Sequence, residues 1–299
     1  MQGRVLAFLS RVETSRLCWT NNLVLRVMHP VYFWAKGKIF PQSIHTQPDE
    51  NAIAFFTQNA GRVEAVANML ADEASKRVFL GMVKFRQTRD KRDFPRYEWR
   101  CAYFVSEFKP VEGEVFVDCG AFNGDSIRLF LKHCPNFKHI TAFEPDARNF
   151  QKLNAKHGGN SNITLINAGV YDREGEVRFQ TIGSAASHIT DDPESASSIR
   201  VQTIDSLALE KVTFIKMDIE GAELNALRGA EKTILRDKPK LAVCIYHSNE
   251  DMLRIAEYIH GLAPEYKLQV RQHYCYPKEF ETVLYCAIPA KLKRGDERE

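Results

Sequence analysis

From residue 113 onward, short apolar runs alternate with stretches whose apolar residues recur every three or four positions. Runs at 115–119, 139–143, 163–167, 212–218 and 240–246 have the length and composition of buried strands. Between them, Ile127, Phe130, Leu131 and Cys134 mark one face of a helix beginning near Asp125. Phe150 and Leu153 mark a helix at 147–156, Leu224, Leu227, Ile234 and Leu235 one at 222–235, and a further helix is predicted from about Asn249 to His260. Repeated strand–helix units with right-handed crossovers make an α/β fold, a parallel sheet covered by helices on both faces. Two late strands, 266–272 and 282–288, follow each other without a helix and suit an antiparallel hairpin at the sheet edge. Residues 176–180 alternate like a half-exposed strand in an inserted hairpin, and the Ser-rich stretch 183–198 reads as a mobile lid-like loop.

Before residue 113 the pattern is different. Val63, Val66, Ala67 and Leu70, then Val78, Phe79, Met82 and Phe85, predict helices within 49–90. Residues 1–48 carry Arg and aromatics without periodicity and read as an extension packed on the main domain, with peripheral membrane or partner docking as the other reading. The expected organisation is thus an extension over 1–110, the main domain over 111–290 and a charged tail over 291–299. A net charge of +3 is too small to argue for nucleic acid or a membrane surface, and no apolar run approaches the length of a transmembrane helix. Seven cysteines, none spaced as C-x-x-C, read as free thiols of a reducing, cytoplasmic protein.

The chemistry concentrates where strands end. Val115-Phe-Val-Asp-Cys-Gly-Ala-Phe-Asn-Gly-Asp-Ser126 is a strand running into a glycine-containing turn and a helix. Glu144 follows Gly124 by about 20 residues, the distance at which an acid reaches a nucleoside ribose. The G-x-x-x-G spacing lacks the third glycine of a pyrophosphate loop, and Asp118 and Asp125 beside the turn would repel a pyrophosphate and attract a cation. A nucleoside that is cationic and free of phosphate is S-adenosylmethionine, which points to methyl transfer. Lys216 and Asp218 break an otherwise apolar central strand, so Lys216 is expected to pair with a carboxylate such as Asp118, and Asp218 to face a wet cleft. Glu220 and Glu223 open the next helix, Glu223 reading equally as a functional acid or a first-turn partner of the helix dipole. His247 and His273 close two later strands, and either could accept a hydroxyl proton with Asp218 or Glu220 orienting the ring. The same groups could hold a divalent metal; the expectation is a metal-free base.

VFVDCGAFNGDS (115–126), FEPD (143–146), VQTIDSL (201–207), IKMDIEGAELNALRGAEKTI (215–234), IYHSNEDM (245–252) and RQHYCYPKEFETVLYCA (271–287) occur in an order that resembles the FkbM family of S-adenosylmethionine-dependent methyltransferases. The resemblance implies a class I methyltransferase fold with a seven-stranded sheet, and O-methylation, often of sugar hydroxyls in polysaccharides, glycolipids or secondary metabolites. On these motifs the cofactor residues expected are Asp118, Gly120, Ala121, Asn123, Gly124, Asp125, Glu144, Pro145, Asn167, Ala168 and Asp218. A small-molecule or glycan acceptor is expected and nucleic acid is not. Two other readings stay open, a nicotinamide oxidoreductase on a similar fold and a non-catalytic module that keeps the cofactor as a structural ligand.

Overall fold

The computed structural model describes residues 47–98, 103–105, 108–180, 188–189, 197–274 and 280–289. Three helices lead: α1 (Glu50–Gln58), α2 (Ala60–Met69) and α3 (Glu73–Thr88). Asp49 caps α1 by accepting the Ala52 N–H, and Asp72 caps α3 by accepting the Ser75 N–H, each satisfying an amide that the helix itself leaves orphaned. The main domain continues as β1 (Val115–Cys119), α4 (Asp125–His133), β2 (His139–Phe143), α5 (Ala147–His157), β3 (Ile163–Ile166), β4 (Gly169–Val170), β5 (Gly175–Gln180), β6 (His188–Ile189) and β7 (Ser198–Gln202). It closes with β8 (Phe214–Met217), α6 (Glu223–Arg228), α7 (Glu231–Asp237), β9 (Lys240–Cys244), α8 (Asp251–Leu262), β10 (Lys267–Gln272) and β11 (Thr282–Ala287).

Seven strands form one sheet in the order β10-β11-β9-β8-β1-β2-β3, parallel except for β11, which runs antiparallel to both neighbours. The late pair is thus the predicted antiparallel hairpin, with β11 inside the sheet and β10 at its edge. β1, β8, β9 and β11 are buried along their whole length, as strands covered on both faces must be. The chain leaves β1 toward β2 on one side and reaches β8 on the other, so the crevice between the carboxyl ends of β1 and β8 is the topological switch point where an open α/β sheet receives its ligand. Residues 176–180 do lie in a strand with antiparallel partners, Phe179 and Gln180 pairing with β6 and residues 175–178 with β7, inside a small sheet of order β4-β7-β5-β6. The expected loop 183–198 contains β6 and the start of β7; the rest of it lies outside the described residues, as do 1–46 and the tail.

The leading helices are part of the main core. Ala52, Phe56, Val66, Phe79 and Met82 are buried in one cluster with Leu268 and Val270 of the edge strand and Ile255 of α8. Ser75 Oγ accepts the Val270 N–H at 3.0 Å and Arg271 pairs with Asp72 at 3.1 Å, which covers the edge that β10 would otherwise expose. Among the described residues no helix is long and apolar enough to cross a membrane.

The helix expected at 222–235 is two helices. Gly229 breaks it: its carbonyl accepts the Asp205 N–H at 3.0 Å, and the Asp205 carboxylate caps the second helix through the amides of Lys232 and Thr233. A Cβ at Gly229 would stand 2.0 Å from the Tyr171 carbonyl oxygen, so only glycine lets the two backbones pass. Gly229→Ala should therefore destabilise the protein by about 1–3 kcal/mol, as overpacking against an unyielding backbone does. Urea unfolding measures this, and a variant with an unchanged midpoint would mean that the close approach relaxes freely.

Candidate active site

Lys216 sits beside Asp118 in register across β8 and β1, and their side chains form an ion pair of 3.1 Å with exposures of 2% and 0%. Burial works against the ammonium, but Asp118 overcomes it and holds Lys216 charged, its pKa raised. Ser126 of α4 donates its hydroxyl to the other Asp118 oxygen. The ammonium also donates to the carbonyls of Gly120 at 2.7 Å and Cys119 at 3.2 Å, so it grips the turn that follows β1. The pairing expected of Lys216 and Asp118 is thus present, and it takes up the charge that Asp118 would otherwise offer a cation.

The turn is held from the other side by β2. The Phe143 carbonyl accepts from both Gly120 (3.1 Å) and Ala121 (2.8 Å), and the Ala121 carbonyl accepts the Gly124 N–H at 2.8 Å. Gly120 has φ +83°, and a Cβ there would meet the Asp218 carbonyl oxygen at 2.0 Å, so glycine allows the β1 turn to close on the end of β8. Lys156 of α5 holds the Asn123 carbonyl at 2.7 Å. The amides of residues 120, 121, 122 and 124 all donate within the protein, so these four are not offered to a phosphate.

Glu144 ends β2 with 6% of its surface exposed. One oxygen accepts the Phe122 N–H at 2.8 Å and the other the Asp146 N–H at 3.0 Å. Each oxygen retains lone-pair capacity for a further donor. Asn167 braces this corner by donating to the carbonyls of Glu144 (2.8 Å) and Pro145 (3.1 Å), with Ala168 buried behind it. Burial raises the Glu144 carboxyl from its ordinary 4.5 to about 7, against the pull of the two backbone amides.

Across the crevice stands a second group. Asp218 follows β8 and takes hydroxyl donors from Tyr103 at 2.9 Å and Tyr246 at 3.0 Å. Glu223, fully buried at the start of α6, accepts the amides of Ile219 (2.8 Å) and Gly221 (3.0 Å). His247, beyond β9, has Nδ1 3.1 Å from Glu223 and Nε2 3.5 Å from both Asp218 and Glu220. Burial alone would keep the imidazole neutral; Glu223, Asp218 and Glu220 outweigh it and push its pKa up to about 10. The three carboxylates therefore favour the protonated imidazole in the free protein.

His273 differs more. It is buried, with Nδ1 3.1 Å from the Glu98 carbonyl and Nε2 2.9 Å from the Tyr285 hydroxyl, which itself accepts the Tyr103 N–H. Both ring nitrogens are engaged in this packing, which links His273 to the 103 segment through Tyr285, and none of these contacts brings the ring to Asp218 or Glu220, the expected orienting groups. The tyrosines were missed. Tyr246 adjoins His247 in sequence and could have been flagged; Tyr103 lies in a stretch with no pattern and is brought in only by tertiary packing.

The raised Glu144 carboxyl has two consequences with opposite dependence on pH. Its contribution to folding is fully present below pH 4.5 and is lost as pH rises through about 7, because the unfolded chain ionises first. Ribose hydroxyls favour the ionised form, so affinity for S-adenosylhomocysteine should be present above pH 7 and fall below it. Glu144→Ala should lower that affinity by about tenfold to a hundredfold at pH 8, the worth of charge-assisted hydrogen bonds, and remove the pH dependence. Calorimetry between pH 6 and 8 reads both; a folded variant with unchanged affinity would take Glu144 out of the site.

The family model described as "Methyltransferase FkbM domain" matches residues 118–267, which begins at Asp118 and includes Glu144, Asp218, Glu220, Glu223 and His247. The chain is 25% identical over 147 residues to the 2-O-methyltransferase NoeI of Sinorhizobium fredii (strain NBRC 101917 / NGR234), covering 42% of this chain and 60% of the relative. It superposes on the crystal structure of methyltransferase FkbM from Methylobacillus flagellatus KT with a TM-score of 0.65 and 29% identity, over 78% of this chain and 60% of that one. The chain thus spans 60% of the length of both relatives. The span matched by the family model covers half of the chain and holds the switch-point residues together with β2, β3, β8 and β9, and the chain belongs to the FkbM methyltransferase family.

Proposed function

We propose that the protein is an S-adenosylmethionine-dependent O-methyltransferase acting on a hydroxyl of a sugar in a polysaccharide, glycolipid or secondary metabolite. The observation that carries the cofactor reading is the pairing of a buried Glu144 with a turn whose amides are already engaged. Such a corner receives ribose hydroxyls and does not offer those amides to a pyrophosphate, which argues against the nicotinamide reading. Asp118 is neutralised by Lys216, so the carboxylates that would face a cation are Asp218, Glu220 and Glu223 across the crevice. The name of the Sinorhizobium relative supports oxygen as the methylated atom. The four described cysteines, Cys119, Cys134, Cys244 and Cys286, are buried free thiols, which suits a reducing cytoplasm.

When bound, S-adenosylmethionine supplies an electrophilic methyl group on cationic sulfur, the C–S bond breaking as the new C–O bond forms. This chain's residues must hold oxygen, methyl and sulfur in line and take the hydroxyl proton. Glu144, Pro145 and Asn167 fix the nucleoside end, while Gly120, Ala121, Asn123, Gly124 and Asp125 border the amino-acid end. Because the surrounding carboxylates favour the protonated form of His247 in the free protein, the proton acceptor in this reading is a carboxylate. Glu220 has the more accessible one, with 25% of its side chain exposed against 4% for Asp218. Tyr103 and Tyr246 hold Asp218 in orientation.

Two assays test the reading. Purified protein should retain methyl-labelled S-adenosylmethionine and not NAD, and should pass the label to a sugar hydroxyl in a glycan acceptor panel. Retention without transfer across that panel would favour the non-catalytic module. Glu220→Gln should reduce turnover by roughly 10²–10⁴-fold, the usual worth of general-base catalysis, and leave S-adenosylhomocysteine affinity in place. Full turnover in that variant would return the proton to another group.

A further inference from the structure

We propose that Asp218, Glu223 and His247 form a divalent-cation site at the carboxyl ends of β8 and β9. One oxygen from each carboxylate and one ring nitrogen of His247 lie within 4.8 Å of one another. Ligands of a six-coordinate ion with bonds of about 2.1 Å stand about 3.0 Å apart when adjacent and about 4.2 Å apart when opposite. The 3.1 Å separation of His247 Nδ1 from Glu223 Oε1 already has the adjacent spacing.

The observation that separates this group from an ordinary acidic cluster is the state of the imidazole. The His247 side chain is 9% exposed, and both its ring nitrogens are buried without a hydrogen-bond partner of acceptable geometry, although carboxylate oxygens stand 3.1 and 3.5 Å away. A buried ring nitrogen is costly to leave unmatched, and a metal ion can take the lone pair of one of the two, displacing to solvent the proton that the ring carries in the free protein, without the alignment that an N–H demands. The outer contacts also fit. Metal-bound carboxylates are normally oriented by further donors. Asp218 has the hydroxyls of Tyr103 and Tyr246, and Glu223 has the amides of Ile219 and Gly221. Two carboxylates and one imidazole are a donor set for manganese, magnesium or iron(II) more than for a thiophilic ion.

The site's role rests on the methyltransfer reading, although its existence does not. A divalent ion there would draw the acceptor hydroxyl toward the crevice and lower its pKa. The proton would pass to Glu220, and the electron pair freed on oxygen would form the bond to the methyl carbon. The metal alternative of the sequence reading thus takes the place of the metal-free base in this proposal.

Mn²⁺ serves as the probe. Full-length protein, stripped with a chelator and desalted, should reduce the electron paramagnetic resonance signal of free aqueous Mn²⁺ with a stoichiometry of one. His247→Gln and Glu223→Gln should each weaken binding by tenfold or more. Glu223 also caps two backbone amides, so circular dichroism checks that variant, and His247→Gln, which removes no cap, decides the matter if it misfolds. Absence of bound Mn²⁺ at millimolar concentration, or binding indifferent to His247→Gln, would overturn the proposal. Calorimetry with S-adenosylhomocysteine on the stripped protein reports separately on the cofactor reading. Loss of that binding would sink the methyltransferase reading while the Mn²⁺ result stood by itself.

Discussion

A lysine in the centre of a fully buried parallel strand is the constraint around which the rest of this molecule is arranged. Lys216 cannot remain charged there without Asp118, and Asp118 cannot be buried without Lys216. Because the two face each other across β1 and β8, the pair lies at the switch point, and the spare donors of the ammonium reach the carbonyls of Cys119 and Gly120. The same ion pair that permits the two strands to lie side by side therefore fixes the turn that borders the ligand crevice. Ser126 ties the start of α4 to the same carboxylate. One buried charge pair thus joins two strands, a turn and a helix.

From this follows a division of the crevice into two electrostatic halves. On the β2 side the backbone consumes its own amides, and a single buried carboxylate, Glu144, faces inward with its charge weakly held. On the β8–β9 side three carboxylates surround one imidazole. A ligand that presents neutral hydroxyls at one end and positive charge at the other matches both halves. Tyr103 ties the second half to the sheet's other edge through Tyr285 and His273, so the segment before β1 takes part in shaping the crevice.

Much of this was legible in the sequence because central parallel strands and amphipathic helices have strong periodic patterns. The positions of the main strands along the chain, the late antiparallel pair, the pairing of Lys216 with Asp118 and the place of Glu144 at a strand end could all be read from residue types and spacing. What escaped depends on tertiary contact. The break at Gly229 comes from the Tyr171 backbone and the Asp205 cap, both distant in sequence from the helix they interrupt. His247 and His273 look alike as strand-terminal histidines, yet one is packed among carboxylates and the other between a backbone carbonyl and a tyrosine. Local sequence carries no information about which neighbours a side chain will meet, and those neighbours decide whether a histidine is a cation, a ligand or a spacer.

The claim that the buried pair exists to position the cofactor turn is tested most directly by a double-mutant cycle at Lys216 and Asp118, read by urea unfolding and by calorimetry with S-adenosylhomocysteine. Lys216→Met alone should cost about 3–5 kcal/mol, because it strands a buried carboxylate. Adding Asp118→Leu should recover most of that stability. The account predicts that the recovered double variant still binds S-adenosylhomocysteine at least tenfold more weakly than the natural protein, since nothing then grips the Gly120 carbonyl. A stable double variant with undiminished affinity would contradict it.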